Sequence, residues 1–353
     1  MIRNVIHLIN PYDAGKFPVD VSRLYGIPES QVIQLGSNEN PYPPSEEVKK
    51  AFHDSISDIN QYPHPEYQRL KEAIASYTGT DVERIAIGNG ASELLRTICD
   101  IVVEPLDRVV IPVPGYTLYA IFAMVRDARI DFIEVPGYAV TAESLGNLSD
   151  AKLVFLCSPN NPTGNTIEKK EVEKIVEGCG GIVVLDEAYA EFAGKSCIDL
   201  TGRYDNLVVV RSFSKFFGLA GLRVGYAIGN PEIIAAMEKI RLPFGISSVA
   251  YRTAIAAVES VEYYEGVKEK IIMERERLAK ELKKLGFFVY PSEANFVLVR
   301  AKKDVSEELE KSGIIVRNVT GLLGLEGFHI RITVGLPEEN DRFLEAIATV
   351  SRC

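Results

Sequence analysis

Two runs of four consecutive apolar residues, Ile182-Val183-Val184-Leu185 and Leu207-Val208-Val209-Val210, constrain this chain more than any other feature. Successive side chains of a strand point to opposite faces, so a run that is apolar throughout needs apolar cover on both. That cover exists in the middle of a mostly parallel sheet flanked by helices. Strands are predicted at Arg84–Ile87, Arg108–Val113, Asp131–Val135, Lys152–Cys157, Gly181–Leu185, Leu207–Arg211 and Val224–Ile228. Between them Ser92–Val102, Leu118–Val125 and Lys169–Glu177 carry helical spacing. The alternation predicts an α/β fold, a three-layer αβα large domain with a mostly parallel seven-stranded sheet spanning residues 46–240.

After residue 240 the rhythm changes. Tyr251–Glu259 and Glu262–Leu285 read as helices, the second closed by Gly286 as a C-cap. Strand-like Phe287–Tyr290, Asn295–Val299, Ile314–Arg317 and His329–Val334 follow, then a final helix, Glu338–Val350. Residues 241–353 are therefore expected to form a smaller α+β domain. Asn40-Pro41-Tyr42-Pro43-Pro44 should be an extended arm, because the residue before a proline is disfavoured in a helix.

Composition narrows the function. Of 353 residues, 39 are Lys or Arg and 49 Asp or Glu, a formal charge of −10. Nucleic-acid binding would need a basic stripe to neutralise phosphates. The charged runs instead alternate in sign, as in Glu274-Arg275-Glu276-Arg277, and read as solvated helix faces. No apolar stretch is long enough for a transmembrane helix, and Arg3, Asn4, His7 and Asn10 break up any signal peptide. Five cysteines without a CxxC pair and four scattered histidines give a metal site little to build from, so none is expected. Reduced thiols in a cytoplasmic protein are the plain expectation.

In open α/β sheets ligands bind beyond the carboxyl ends of the strands. There the chain places Gly88-Asn89-Gly90-Ala91-Ser92, Ser158-Pro159-Asn160-Asn161-Pro162-Thr163-Gly164, Asp186-Glu187-Ala188-Tyr189 and Ser212-Phe213-Ser214-Lys215, with Arg223 eight residues on. Each has an ordinary reading: a turn, a helix N-cap, a surface lysine. Together they make a different demand. A lysine with hydroxyls before it and an arginine after it is a candidate amine nucleophile beside an anion site. A small-residue loop opening a helix offers N–H groups to a phosphate. A carboxylate at a sheet end needs a cation or a protonated ring nitrogen. Pyridoxal 5′-phosphate, a phosphorylated aldehyde on a cationic ring, meets all three demands.

The motifs Asn161-Pro162-Thr163-Gly164, Asp186-Glu187-Ala188-Tyr189 and Ser212-Phe213-Ser214-Lys215 resemble those of fold-type I pyridoxal-phosphate enzymes of the class I/II aminotransferase family. The stretch from Arg211 to Tyr226, with Ser292-Glu293-Ala294-Asn295-Phe296, Val316-Arg317 and Ile330-Arg331-Ile332-Thr333-Val334-Gly335, is similar to histidinol-phosphate aminotransferases within it. The likeness runs from Asn10-Pro11-Tyr12 to the last helix. It implies that residues 1–45 form an N-terminal arm and part of the small domain.

The resemblance also implies roles. Lys215 would hold the cofactor as an internal aldimine and later carry a proton between Cα and C4′. Asp186 would pair with the ring nitrogen, with Asn161 and Tyr189 bonding the phenolic oxygen and Tyr116 stacking on the ring. Ser212, Ser214, Arg223 and the Ala91 and Ser92 amides would hold the phosphate. Tyr62 would reach the phosphate of a neighbouring subunit, which requires a homodimer. Arg331, helped by Arg317, Tyr12 and Asn161, would bind the amino donor and the 2-oxo acid. The implied reaction passes the amino group of histidinol phosphate to 2-oxoglutarate, a step of histidine biosynthesis.

Two departures from the family pattern stand out: Gly90-Ala91-Ser92-Glu93 in the phosphate loop, and Pro243-Phe244-Gly245-Ile246-Ser247-Ser248, where an asparagine usually shapes the substrate pocket. The alternatives are an aromatic amino acid aminotransferase and threonine-phosphate decarboxylase, the latter opposed by Pro11-Tyr12-Asp13-Ala14-Gly15 in place of a His-Gly-Gly-Asn stretch. A non-catalytic cofactor-binding protein is disfavoured because Lys215, Asp186 and Tyr189 are all present.

Overall fold

Twelve strands form two sheets in the computed structural model, which describes residues 1–350. They are β1 (Ile33–Leu35), β2 (Ile85–Gly88), β3 (Arg108–Val113), β4 (Arg129–Glu134), β5 (Leu153–Cys157), β6 (Ile182–Asp186), β7 (Leu207–Ser212), β8 (Gly225–Ile228), β9 (Phe288–Val289), β10 (Phe296–Ala301), β11 (Ile314–Asn318) and β12 (Phe328–Thr333). The larger sheet has the order β2-β8-β7-β6-β5-β3-β4. Its neighbours from β4 through β7 pair in parallel, and β8 runs against both β7 and β2.

The two apolar runs behave as their pattern requires. Val183 and Leu185 of β6, with Leu207 and Val209 of β7, enter one core cluster. Val184, Val208 and Val210 enter the other. One cluster is closed by helices 68–78, 169–178 and 248–259 and the amino-terminal half of 261–284. The other is closed by helices 91–102, 118–125 and 231–240. Burying a valine on either face contributes about 1.5–3 kcal/mol, which explains why both faces attract helices.

The smaller sheet has the order β1-β11-β12-β10-β9, with β1 parallel to β11 and the other pairs antiparallel. Strand β1 escaped the sequence reading because three residues are too few to show a period; it forms by pairing Ile33–Leu35 with Ile314–Val316. Strand β4 starts at Arg129, two residues before the expected Asp131, because its register on β3 pairs Arg108 with Arg129. Residues 40–44 run without helix or strand, as their prolines dictate. Among the described residues no helix is long and apolar enough to cross a membrane. Cys99, Cys157, Cys179 and Cys197 are buried free thiols, whereas Cys353 lies outside the described residues.

Candidate active site

Strand register decides which loops meet. Cys157 at the end of β5 pairs with Asp186 at the end of β6, and Asp186 with Val210 of β7. Ser212 of β7 pairs with Gly225 of β8, which also pairs with Gly88 at the end of β2. The loops after β2, β5, β6 and β7 therefore share one edge of the sheet. They surround a cavity of about 270 Å³, closed on the other side by Gly36–Glu39 and by Arg317 and Arg331 of the small sheet.

One end of the cavity is built for an anion. Gly90 takes a left-handed φ of 77°, and a Cβ there would run into the Arg223 guanidinium, so glycine is required. The helix that follows begins at Ala91, leaving the Ala91 and Ser92 amides free of intrahelical partners. Arg223 is itself left-handed at φ 54° and donates through Nη1 to Ser214 Oγ at 3.2 Å. Ser212 Oγ accepts the Ser214 N–H at 3.1 Å, so both hydroxyls line the cavity.

The centre is built for a carbonyl. Lys215 is half-buried in the cavity wall, and its Nζ donates to Ser37 O at 2.8 Å. Burial, aided by Arg331 and Arg223 and opposed by Glu39 and Asp186, lowers its amine pKa to about 7. A large neutral fraction near pH 7 is what a nucleophilic amine needs. Asp186 is buried; its Oδ1 accepts the Ala188 N–H at 3.0 Å and its Oδ2 the Tyr119 hydroxyl at 2.7 Å. Tyr189 OH accepts from Asn38 Nδ2 at 3.0 Å, and Asn38 is in turn held by Thr333 and Asn295.

The far end is built for a second anion. Arg331 donates to Asn161 Oδ1 at 2.6 Å and Gly36 O at 2.5 Å, while its buried Nε has no partner among the described residues. An orphaned N–H beside a cavity fits an anionic ligand. Arg317 packs over Tyr12, with its guanidinium carbon 6.0 Å from the ring centroid, and Tyr12 meets Tyr116 edge-on at 6.0 Å.

Every candidate site residue but one lines this cavity. Tyr62 lies outside it, 79% exposed and stacked on Phe244 at 4.2 Å. The segment Gly245-Ile246-Ser247 also lies outside: Ile246 is buried with its N–H on the Tyr67 hydroxyl, and Ser247 caps the next helix. Sequence reasoning missed Ser37, Asn38, Glu39 and Tyr119, whose distance along the chain from the lysine motif hides them. Asn38 and Glu39 do flank the proline arm, a signal that was available.

Behind the cavity a buried charge cluster ties β6 to β7. Arg211 Nε donates to Glu187 Oε2 at 2.9 Å, and its Nη1 to Glu191 Oε1 at 2.6 Å. These neighbours of Ser212 and Asp186 fix both loops. Arg211→Met would strand two buried carboxylates and should cost about 3–5 kcal/mol. Urea unfolding of the purified variant measures this; a loss below ~1 kcal/mol would show that the cluster is not a staple.

An amine, a buried carboxylate and an anion cradle at the carboxyl edge of this sheet define a pyridoxal-phosphate-dependent enzyme of fold type I. Residues 30–347 match the family model for aminotransferase class I and II, and the chain belongs to that family. It is an aminotransferase, and its cofactor is pyridoxal 5′-phosphate. The chain is 53% identical to histidinol-phosphate aminotransferase 2 of Archaeoglobus fulgidus, over 99% of this chain and 100% of that one. It is 39% identical to the histidinol-phosphate aminotransferase of Methanocaldococcus jannaschii, over 99% and 97%. Among solved structures, the histidinol-phosphate aminotransferase of Sinorhizobium meliloti in complex with pyridoxal-5′-phosphate superimposes with a TM-score of 0.90 at 30% identity, covering 99% of this chain and 97% of that one.

Proposed function

We propose that this aminotransferase converts histidinol phosphate and 2-oxoglutarate to imidazole acetol phosphate and glutamate, a step of histidine biosynthesis. The full-length 53% identity to the Archaeoglobus fulgidus relative carries the choice of substrate. The orphaned Nε of Arg331 supports it, because one fork must take a phosphate in one half-reaction and a carboxylate in the other.

The cofactor supplies an electrophilic carbon and an electron sink when bound. Lys215 would be the nucleophile that holds it, and its Nζ, once free, would carry the proton taken from the substrate Cα. Asp186 would meet the ring nitrogen and favour its protonated form. Asn161 and Tyr189 would bond the phenolic oxygen, and Tyr116 would pack on the ring face. Ser212, Ser214, Arg223 and the Ala91 and Ser92 amides would hold the phosphate. Arg331, with Arg317 and Tyr12, orients the substrate anion.

Half-reactions of the cofactor-loaded protein test the substrate. Histidinol phosphate should bleach the visible absorbance at least about a hundredfold faster than phenylalanine, since a buried site built for hydrogen bonds rejects ligands that leave them unmade. Equal rates would make the enzyme an aromatic aminotransferase, and carbon dioxide released from threonine phosphate would make it a lyase.

The working unit is a homodimer in which Tyr62 completes the partner's phosphate site. Its exposure, and a surface groove lined by Phe52, Leu219 and Leu222, the last beside Arg223 in the chain, support this reading. Tyr62→Phe should weaken cofactor binding about tenfold while sedimentation velocity still shows a dimer, the loss expected for one hydrogen bond to a charged group. A wild-type monomer at assay concentration would refute the shared site.

A further inference from the structure

Asp186 takes one of its two donors from outside the cavity. Its Oδ2 accepts the Tyr119 hydroxyl at 2.7 Å, and its Oδ1 accepts the Ala188 N–H at 3.0 Å. Each oxygen thus holds one donor, which fixes the plane of the carboxylate and leaves a lone pair free on each. Tyr119 does not line the cavity. It belongs to helix 118–125, and its ring stacks on Phe155 with centroids 4.6 Å apart and planes 3° apart. Tyr116 meets it edge-on at 5.4 Å. The ring is fully enclosed, so its hydroxyl is delivered to Asp186 by packing.

The surroundings of Asp186 make that bond matter. Burial pushes its acidity down, and neighbouring Glu187 does the same. The Tyr119 hydroxyl, the Ala188 N–H and Lys215 act the other way. Cys157, Tyr116 and Tyr189 also face it, and burial keeps all three protonated and neutral. Of these groups, Tyr119 is the one whose side chain donates directly to the carboxylate.

We propose that Tyr119 is a positioning residue that acts through Asp186, orienting the carboxylate and holding its negative charge toward the ring nitrogen of the cofactor. This rests on the reading that Asp186 meets that nitrogen. The phenol leaves the cavity wall free for the ring while strengthening the charge behind it.

Affinity measurements on cofactor-free protein test the link without relying on turnover. Calorimetric titration with pyridoxal phosphate, and with its 1-deaza analogue in which C–H replaces the ring nitrogen, compares wild type, Tyr119→Phe and Asp186→Ala. Wild type should prefer pyridoxal phosphate, and Asp186→Ala should abolish the preference. Tyr119→Phe should cut the preference about tenfold through weaker binding of pyridoxal phosphate alone. Tyr119→His, which keeps a ring donor there, should restore part of it and stands in if the phenylalanine variant does not fold. Equal loss of both ligands in Tyr119→Phe would show a packing role only, and no loss of either would remove any role; both overturn the proposal. A preference that survives Asp186→Ala would instead overturn the reading of Asp186 on which it rests.

Discussion

Lys215→Ala should lower turnover by at least about 10⁴-fold, because one side chain supplies both the nucleophile and the proton carrier, and proton transfer alone is worth about 10²–10⁴-fold. Borohydride reduction should fix the cofactor on the Lys215 peptide of the wild type and on no peptide of the variant. Mass spectrometry of the digest reads this directly, and a covalent adduct elsewhere would refute the assignment. The structure adds a pH dependence. The Lys215 pKa is lowered to about 7, chiefly by burial. Only the neutral amine attacks a carbonyl, so uptake of added cofactor by cofactor-free protein should rise about tenfold per pH unit below 7 and flatten by about 8. An ordinary lysine would keep gaining to about pH 10. A rise continuing past pH 9 would mean that the cavity does not desolvate the amine.

Asp186→Ala should be nearly as severe, costing about 10³-fold in turnover, or ~4 kcal/mol in barrier, while some cofactor still binds. The reason is electrostatic. A buried carboxylate is stable at this sheet end when a cation meets it, and the charge it provides acts in a site of low dielectric. Without it, negative charge developing in the reaction has no protonated ring nitrogen to receive it. The proposed phosphate cradle uses other residues of the cavity wall, Ala91, Ser92, Ser214 and Arg223, which is why binding should outlast turnover. Turnover within tenfold of wild type would remove Asp186 from the electron-sink role.

These two experiments bear on residues legible before any coordinates. Asp186 follows the apolar run 182–185 directly, and Lys215 stands in the loop that follows the run 207–210, so finding the strand finds the loop that carries the residue. The same holds for Asn161 after β5 and for Ala91 and Ser92 after β2. Element edges were less legible: β4 is half-exposed and takes its register from β3, and β1 exists only because β11 pairs with it. Tyr119 reads in sequence as one apolar residue of the helix Leu118–Val125, and nothing local separates it from its neighbours. Its hydroxyl became informative only when the helix packed on the face of β6 to which Asp186 points.

The sequence by itself determined the chemistry and the central sheet, because period, strand ends and motif order are local properties of a chain. A strand apolar on both faces can lie only between helices, and polar residues at its carboxyl end can lie only at the sheet edge. Which distant groups meet those residues was decided by tertiary structure alone. Ser37 against Lys215, Asn38 against Tyr189, Gly36 against Arg331 and Tyr119 against Asp186 are contacts between segments far apart in the chain. Each depends on register and packing, which are settled by the burial of the whole core and are not written in any single segment.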